Sequence, residues 1–160
     1  MTGILTYIAA LAEDHGRHGW LPSDAIQRAK AYEWISWLSG TVHSQAFTTL
    51  WQPGKFSDDE AAHAVIQAKA RLTIEGHYER IGARLVANEA FGGKRGHAVG
   101  REFAVVDVLV YLFWRWAKHV DFEKGMPERW PRFAEVAGQV ERLDGTKVAM
   151  EIEKQGLWFS

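Results

Sequence analysis

Periodicity decides the fold class of this chain. Its apolar residues recur at three- and four-residue spacing through long segments, and no run alternates polar and apolar residues as a half-buried strand does. Its 4 prolines, Pro22, Pro53, Pro127 and Pro131, fall between those segments, as expected where proline is tolerated at helix starts and turns but disrupts a helix interior. The pattern predicts an all-α protein.

The first segment, Ile4 to Asp14, reads as a short apolar helix ended by the stretch Gly16 to Gly19. Leu21-Pro22-Ser23-Asp24 opens a second, in which Ser23 or Asp24 can accept hydrogen bonds from the free amides of the first turn. That helix is predicted to run to about Trp51, with a buried stripe of Ile35, Leu38, Val42, Ala46 and Leu50 widened by Trp34 and Trp37. Ser57-Asp58-Asp59-Glu60 has the form of a capping box, with acids that suit a helix N-terminus. A third helix is therefore predicted from there to about Ala87, with Ala61, Val65, Ala68, Leu72, Ile81 and Leu85 inward. Gly92-Gly93-Lys94-Arg95-Gly96 is a loop that lacks the glycine spacing and final Lys-Ser/Thr of a phosphate-binding P-loop. Phe103 to Trp116 is apolar almost all round, which marks a buried central helix. Its lone carboxylate, Asp107, reads as an N-terminal capping residue, because an unpaired buried charge is costly. Helices over Pro131–Leu143 and Thr146–Gln155 complete the chain.

Composition narrows the function classes. At 160 residues the length suits one ordinary domain. Lys plus Arg (19) nearly cancels Asp plus Glu (20), so no basic field favours nucleic acid. The apolar run Phe103 to Trp114 falls short of the ~20 residues a bilayer span needs, and no positive charge precedes the apolar segment Ile4 to Ala12, as a secretory leader would require. A cytoplasmic location is the expectation, and the absence of cysteine fits it. The 7 histidines form no His-Glu-x-x-His pattern, and His15 and His18 would lack third and fourth zinc ligands, so no metal is expected. Asp58 and Asp59 are explained by the helix dipole, no Gly-x-Ser-x-Gly occurs, and no catalytic residue is assigned. His43 lies four residues before Phe47, so on a helix both face one side. Two readings stay open for it: a histidine lining an aromatic cleft, or one bonded to a neighbouring carbonyl. Most of the 8 tryptophans must be core, yet they are also the residue type that lines aromatic ligand clefts.

Taken together, several motifs resemble the C-terminal, all-helical domain of the glutathione transferase family, particularly its bacterial members. They are Tyr32-Glu33-Trp34-Ile35-Ser36-Trp37-Leu38-Ser39-Gly40-Thr41-Val42-His43, Phe47, Leu50-Trp51-Gln52-Pro53, Phe103-Ala104-Val105-Val106-Asp107, Arg115-Trp116, Trp130-Pro131-Arg132-Phe133 and Gly156-Leu157. Their order and spacing carry the likeness, which covers Ile4 to Leu157. Ala104 stands where the family usually has Ser or Thr, and Thr146 where it commonly has Pro.

The resemblance implies a helical bundle with residues 1–20 as the remnant helix of a thioredoxin-like domain and 21–160 as the helical domain. In complete members that first domain supplies the thiol-activating Ser, Cys or Tyr and a Glu-Ser pair for glutathione; the likeness here begins just after that pair. The expectation is thus a transferase-family protein with an incomplete glutathione site, glutathione being a co-substrate wherever the site is completed. His43, Phe47 and Trp116, with Tyr111 as an addition, are expected to face a small hydrophobic or aromatic ligand. The partner expected is a second copy, as a homodimer, or a protein covering the interdomain face, with neither nucleic acid nor membrane. The competing readings are a non-catalytic protein-binding module and a carrier of hydrophobic ligands.

Overall fold

The computed structural model describes residues 2–16, 20–122 and 124–159. Every regular element among them is helical: α1 (Thr2–Asp14), α2 (Ala25–Trp37), α3 (Thr48–Trp51), α4 (Glu60–Ala90), α5 (Val105–Trp116), α6 (Met126–Arg129), α7 (Pro131–Glu141) and α8 (Asp144–Ile152). Asp24 caps α2 by accepting from the Gln27 amide at 2.8 Å.

Between α2 and α3 the helix does not stop but widens. Leu38–Phe47 is π-helical, with the Thr48 amide donating to the His43 carbonyl five residues back. The sequence predicts one uninterrupted α-helix here, and the difference has a local cause. Ser39-Gly40-Thr41 are weak helix formers, and hydroxyls in this segment bond back to carbonyls, Ser44 Oγ donating to Ser39 at 2.8 Å and Thr48 Oγ1 to His43 at 3.2 Å. Burial supplies the other half of the reason. Leu38, Val42, Ala46 and Leu50 are all buried, and a strict four-residue repeat drifts about 40° per step around a 3.6-residue turn. The wider turn keeps the stripe on one face.

In α4 the predicted inward stripe is corrected. Val65 and Leu72 are 72% and 63% exposed, and Ala61 and Ala68 are exposed as well. The face turned inward is Ala70, Ile74, Tyr78, Ile81, Leu85 and Asn88. Two of these have polar tips, which removes them from a hydrophobic pattern, yet both find distant partners. The Tyr78 hydroxyl donates to the Phe113 carbonyl, and Asn88 pins the loop after α4 by donating to the carbonyls of His97 (3.0 Å) and Gly100 (3.2 Å) while accepting from the Gly100 amide (3.0 Å). The capping of α4 also shifts: Asp59, not Ser57, accepts from the first turn, at the Ala61 amide.

α5 runs through the centre, with Val106, Val110, Phe113 and Trp114 almost wholly buried against α7, where Phe133 meets Trp114 edge-on at 5.1 Å. Asp107 starts it. Its carboxylate accepts from the Ala104 amide at 2.9 Å and the Ala98 amide at 2.6 Å, which is half of a capping box, because Ala104 has no oxygen to return the bond. A 3₁₀ turn over Ala117–Val120 and the short α6 follow, neither predicted from sequence. α8 begins at Asp144, two residues before the expected Thr146. No described helix is long and apolar enough to cross a membrane.

Candidate ligand site

The π-helical segment brings His43 and Phe47 against the end of α5. The half-buried His43 ring lies 5.5 Å from Trp116. Phe47 is fully buried and meets Trp116 edge-on at 5.1 Å and Phe113 at 5.9 Å. Phe47 therefore buttresses the Trp116 ring from behind. Trp51, one turn further along, packs edge-on to Trp116 at 4.9 Å and to His119 at 5.9 Å. Such T-shaped pairs direct ring edges at ring faces and hold each ring in one orientation.

Tyr111 points elsewhere. Its hydroxyl donates to Glu141 Oε1 at 2.9 Å, and burial, followed by that bond, raises its ionisation above the usual phenol range. The ring helps line a cavity of about 920 Å³ between α5 and α8, together with Trp20, Phe103, Leu112, Met150 and Trp116. Phe103 and Val108 flank the α5 start on this side, and Trp20 contacts Phe103 edge-on at 5.9 Å. Of the four residues singled out from sequence, Tyr111 and Trp116 line the cavity, whereas His43 and Phe47 do not line it and pack against Trp116. Trp116 belongs to both environments, as does His119, which packs on Trp51 and also lines the cavity.

Trp51 and His119 complete the aromatic group and were missed from sequence, although simple helical spacing points to them. Trp51 is four residues after Phe47, and His119 three after Trp116. Arg115, whose partner in space is the buried Glu141 at 3.8 Å, also borders the cavity. No cluster of three or more His, Asp or Glu side chains able to hold a metal occurs among the described residues. His18, paired with His15 in the sequence, lies outside them.

No family model matches the chain, and no curated protein does. Solved structures do. A glutathione transferase homologue from Sulfitobacter, determined with bound glutathione, superposes over 95% of this chain with a TM-score of 0.79 at 14% identity. The beta-class glutathione S-transferase of Sphingomonas chungbukensis superposes over 94% with a TM-score of 0.70 at 24% identity. This is the helical fold of the glutathione transferases. The chain spans just under two thirds of both structures, 66% and 65% of their lengths. On the glutathione transferase fold a site belongs to specific side chains and not to the architecture, so the aromatic group around Trp116 stands or falls on its own geometry.

Proposed function

We propose that this chain is a glutathione-transferase-type protein whose helices receive a hydrophobic or aromatic co-substrate, with Trp116 at the centre of the receiving wall. The observation that supports the reading is the shared position of Trp116, between a supporting group of His43, Phe47 and Trp51 and a cavity of about 920 Å³. A cavity of this size with mainly apolar walls suits a small organic ligand. Glutathione, bound in the Sulfitobacter structure, is proposed as the co-substrate, with thiol activation supplied by a thioredoxin-like fold. In this reading residues 1–20 are a remnant of such a fold that carries α1, 21–160 form the helical domain, and the protein works in the cytoplasm.

A second element of the proposal is self-association. Val65 and Leu72 stand exposed two turns apart on α4, on the face opposite the buried one, and a second copy of the chain, or another protein in its place, is proposed to cover them. Sedimentation of the purified chain, compared with a Val65→Glu, Leu72→Glu double variant, tests that element.

The ligand reading is tested with the 160-residue chain, glutathione, chlorodinitrobenzene and the aromatic probe anilinonaphthalene sulfonate. The chain is expected to bind the probe, to lose about tenfold in affinity on Trp116→Ala, and not to accelerate conjugation over buffer, because lowering a thiol pKa needs a donor held beside the sulfur. Turnover by the chain that disappears in His43→Ala would overturn this assignment and make His43 a catalytic residue. Probe affinity unchanged by Trp116→Ala would remove Trp116 from the site.

A further inference from the structure

Glu141 closes α7 after the apolar run Val136-Ala137-Gly138 and Val140, and it is only 4% exposed. A buried carboxylate persists only if its lone pairs are occupied, and here the groups that occupy them come from two distant parts of the chain. Tyr111 on α5 donates to Oε1 at 2.9 Å. The Trp158 amide donates to Oε1 at 2.8 Å and Oε2 at 2.9 Å, and the Phe159 amide to Oε2 at 2.8 Å. Arg115 adds its charge at 3.8 Å and donates to the Gly156 carbonyl at 2.5 Å. The aromatic rings of this C-terminal strap rest on Trp114, Trp158 at 5.5 Å and Phe159 stacked at 5.7 Å.

The helix joined to that strap is held by little else. α8 contains no buried residue, and Ile152 is 75% exposed. It leaves α7 at the Leu143 corner, stands off from α5 across the cavity, and presents Ala149 and Met150 to it. At its far end Lys154 takes a left-handed conformation (φ 53°) and the Gln155 amide returns to the Met150 carbonyl at 2.8 Å. That Schellman-type ending turns the chain back into the strap. α8 is thus fixed at its two ends, and at the distal end one carboxylate holds the strap amides, beside the Arg115–Gly156 bond and the packing of Trp158 and Phe159 on Trp114.

We infer that residues 144–159 form a flap over the cavity between α5 and α8, latched by Glu141. Tyr111 and Arg115 belong both to the latch and to the cavity wall, so the latch forms part of that wall. Opening releases the Trp158 and Phe159 amides together and swings α8 about the Leu143 corner, while α5 and α7 keep their mutual packing. This device concerns the unliganded chain and does not rest on the proposed transferase reading.

Amide hydrogen exchange of the full chain tests it, comparing wild type with Glu141→Gln and with Tyr111→Phe. The first variant replaces an acceptor by an amide donor facing two N–H groups. The second removes one bond and leaves the carboxylate, which keeps the test open if the first variant folds poorly. The expected result is exchange at least tenfold faster at residues 148–152 and 157–159 in Glu141→Gln, a smaller rise at the same residues in Tyr111→Phe, and unchanged protection in α5 and α7. Exchange in α8 that stays at the wild-type rate in both variants, or that rises only in step with α5 and α7, would overturn the latch and leave Glu141 as a general core anchor.

Discussion

Removing the Asp107 carboxylate should be among the most damaging single changes in this chain. Asp107 is 1% exposed and accepts from two backbone amides, Ala98 at 2.6 Å and Ala104 at 2.9 Å. Hydrogen bonds to an ionised acceptor contribute about 1.5–3 kcal/mol each, and a buried amide left without a partner carries its own desolvation cost. These contributions overlap, so Asp107→Ala is expected to lose about 3–5 kcal/mol, a large share of the stability of an ordinary domain, about 5–15 kcal/mol. Asp107→Asn keeps one carbonyl oxygen but turns an NH₂ group toward the second amide, and should lose about 2–3 kcal/mol. Urea denaturation followed by helix circular dichroism and by tryptophan fluorescence gives both values, provided the two probes coincide and the slope is unchanged. A loss below about 1 kcal/mol in Asp107→Ala would refute the reasoning, because it would mean that neither amide depends on the carboxylate.

Two further expectations concern pH and a helix end. Burial, and then the neighbouring Arg80 charge, lower the ionisation of His77 from its ordinary 6.5. The folded chain therefore holds fewer protons than the unfolded one as the solution is acidified through that value, and its stability falls below pH 6.5. The urea midpoint of wild type should drop between pH 7.5 and 5.5, and His77→Gln should remove part of that drop; an identical pH profile in the variant would contradict the assignment. Lys154 occupies the left-handed position that ends α8, where a side chain costs about 1 kcal/mol and glycine does not. Lys154→Gly should raise thermal stability by about 0.5 kcal/mol after glycine's greater unfolded-state entropy is subtracted, and a lowered midpoint would count against the left-handed conformation.

How far the sequence could be read depended on what kind of signal each residue carries. The stripe Leu38, Val42, Ala46 and Leu50 was legible because burial of plain apolar side chains leaves a periodic trace. The π-helical turn was not legible from that stripe alone, although a repeat of strictly four residues is its trace. In α4 the trace misled, since a 31-residue helix can carry two apolar faces. Val65 and Leu72 marked the outer one, and the inner face was partly hidden behind Tyr78 and Asn88, whose burial is secured by partners far away in sequence. The capping role of Asp107 was legible because a carboxylate one turn into an apolar helix finds its nearest partners in the free amides of that turn. At the site, the meeting of His43 and Phe47 with Trp116 was implied by resemblance, while the assignment of Tyr111, and not of those two, to the cavity wall needed three-dimensional placement. Glu141 drew no attention, because Tyr111, Trp158 and Phe159 lie 30, 17 and 18 residues from it.

The central claim, that Trp116 stands between the aromatic group and a ligand cavity, is tested most directly by nuclear magnetic resonance of the indole N–H signals of the 8 tryptophans. Titration with anilinonaphthalene sulfonate should move the Trp116 signal most, with Trp20 following because it lines the same cavity. The signals of Trp34 and Trp130, buried elsewhere in the core, should stay in place. Saturable shifts at Trp34 or Trp130 with Trp116 unmoved would contradict the account.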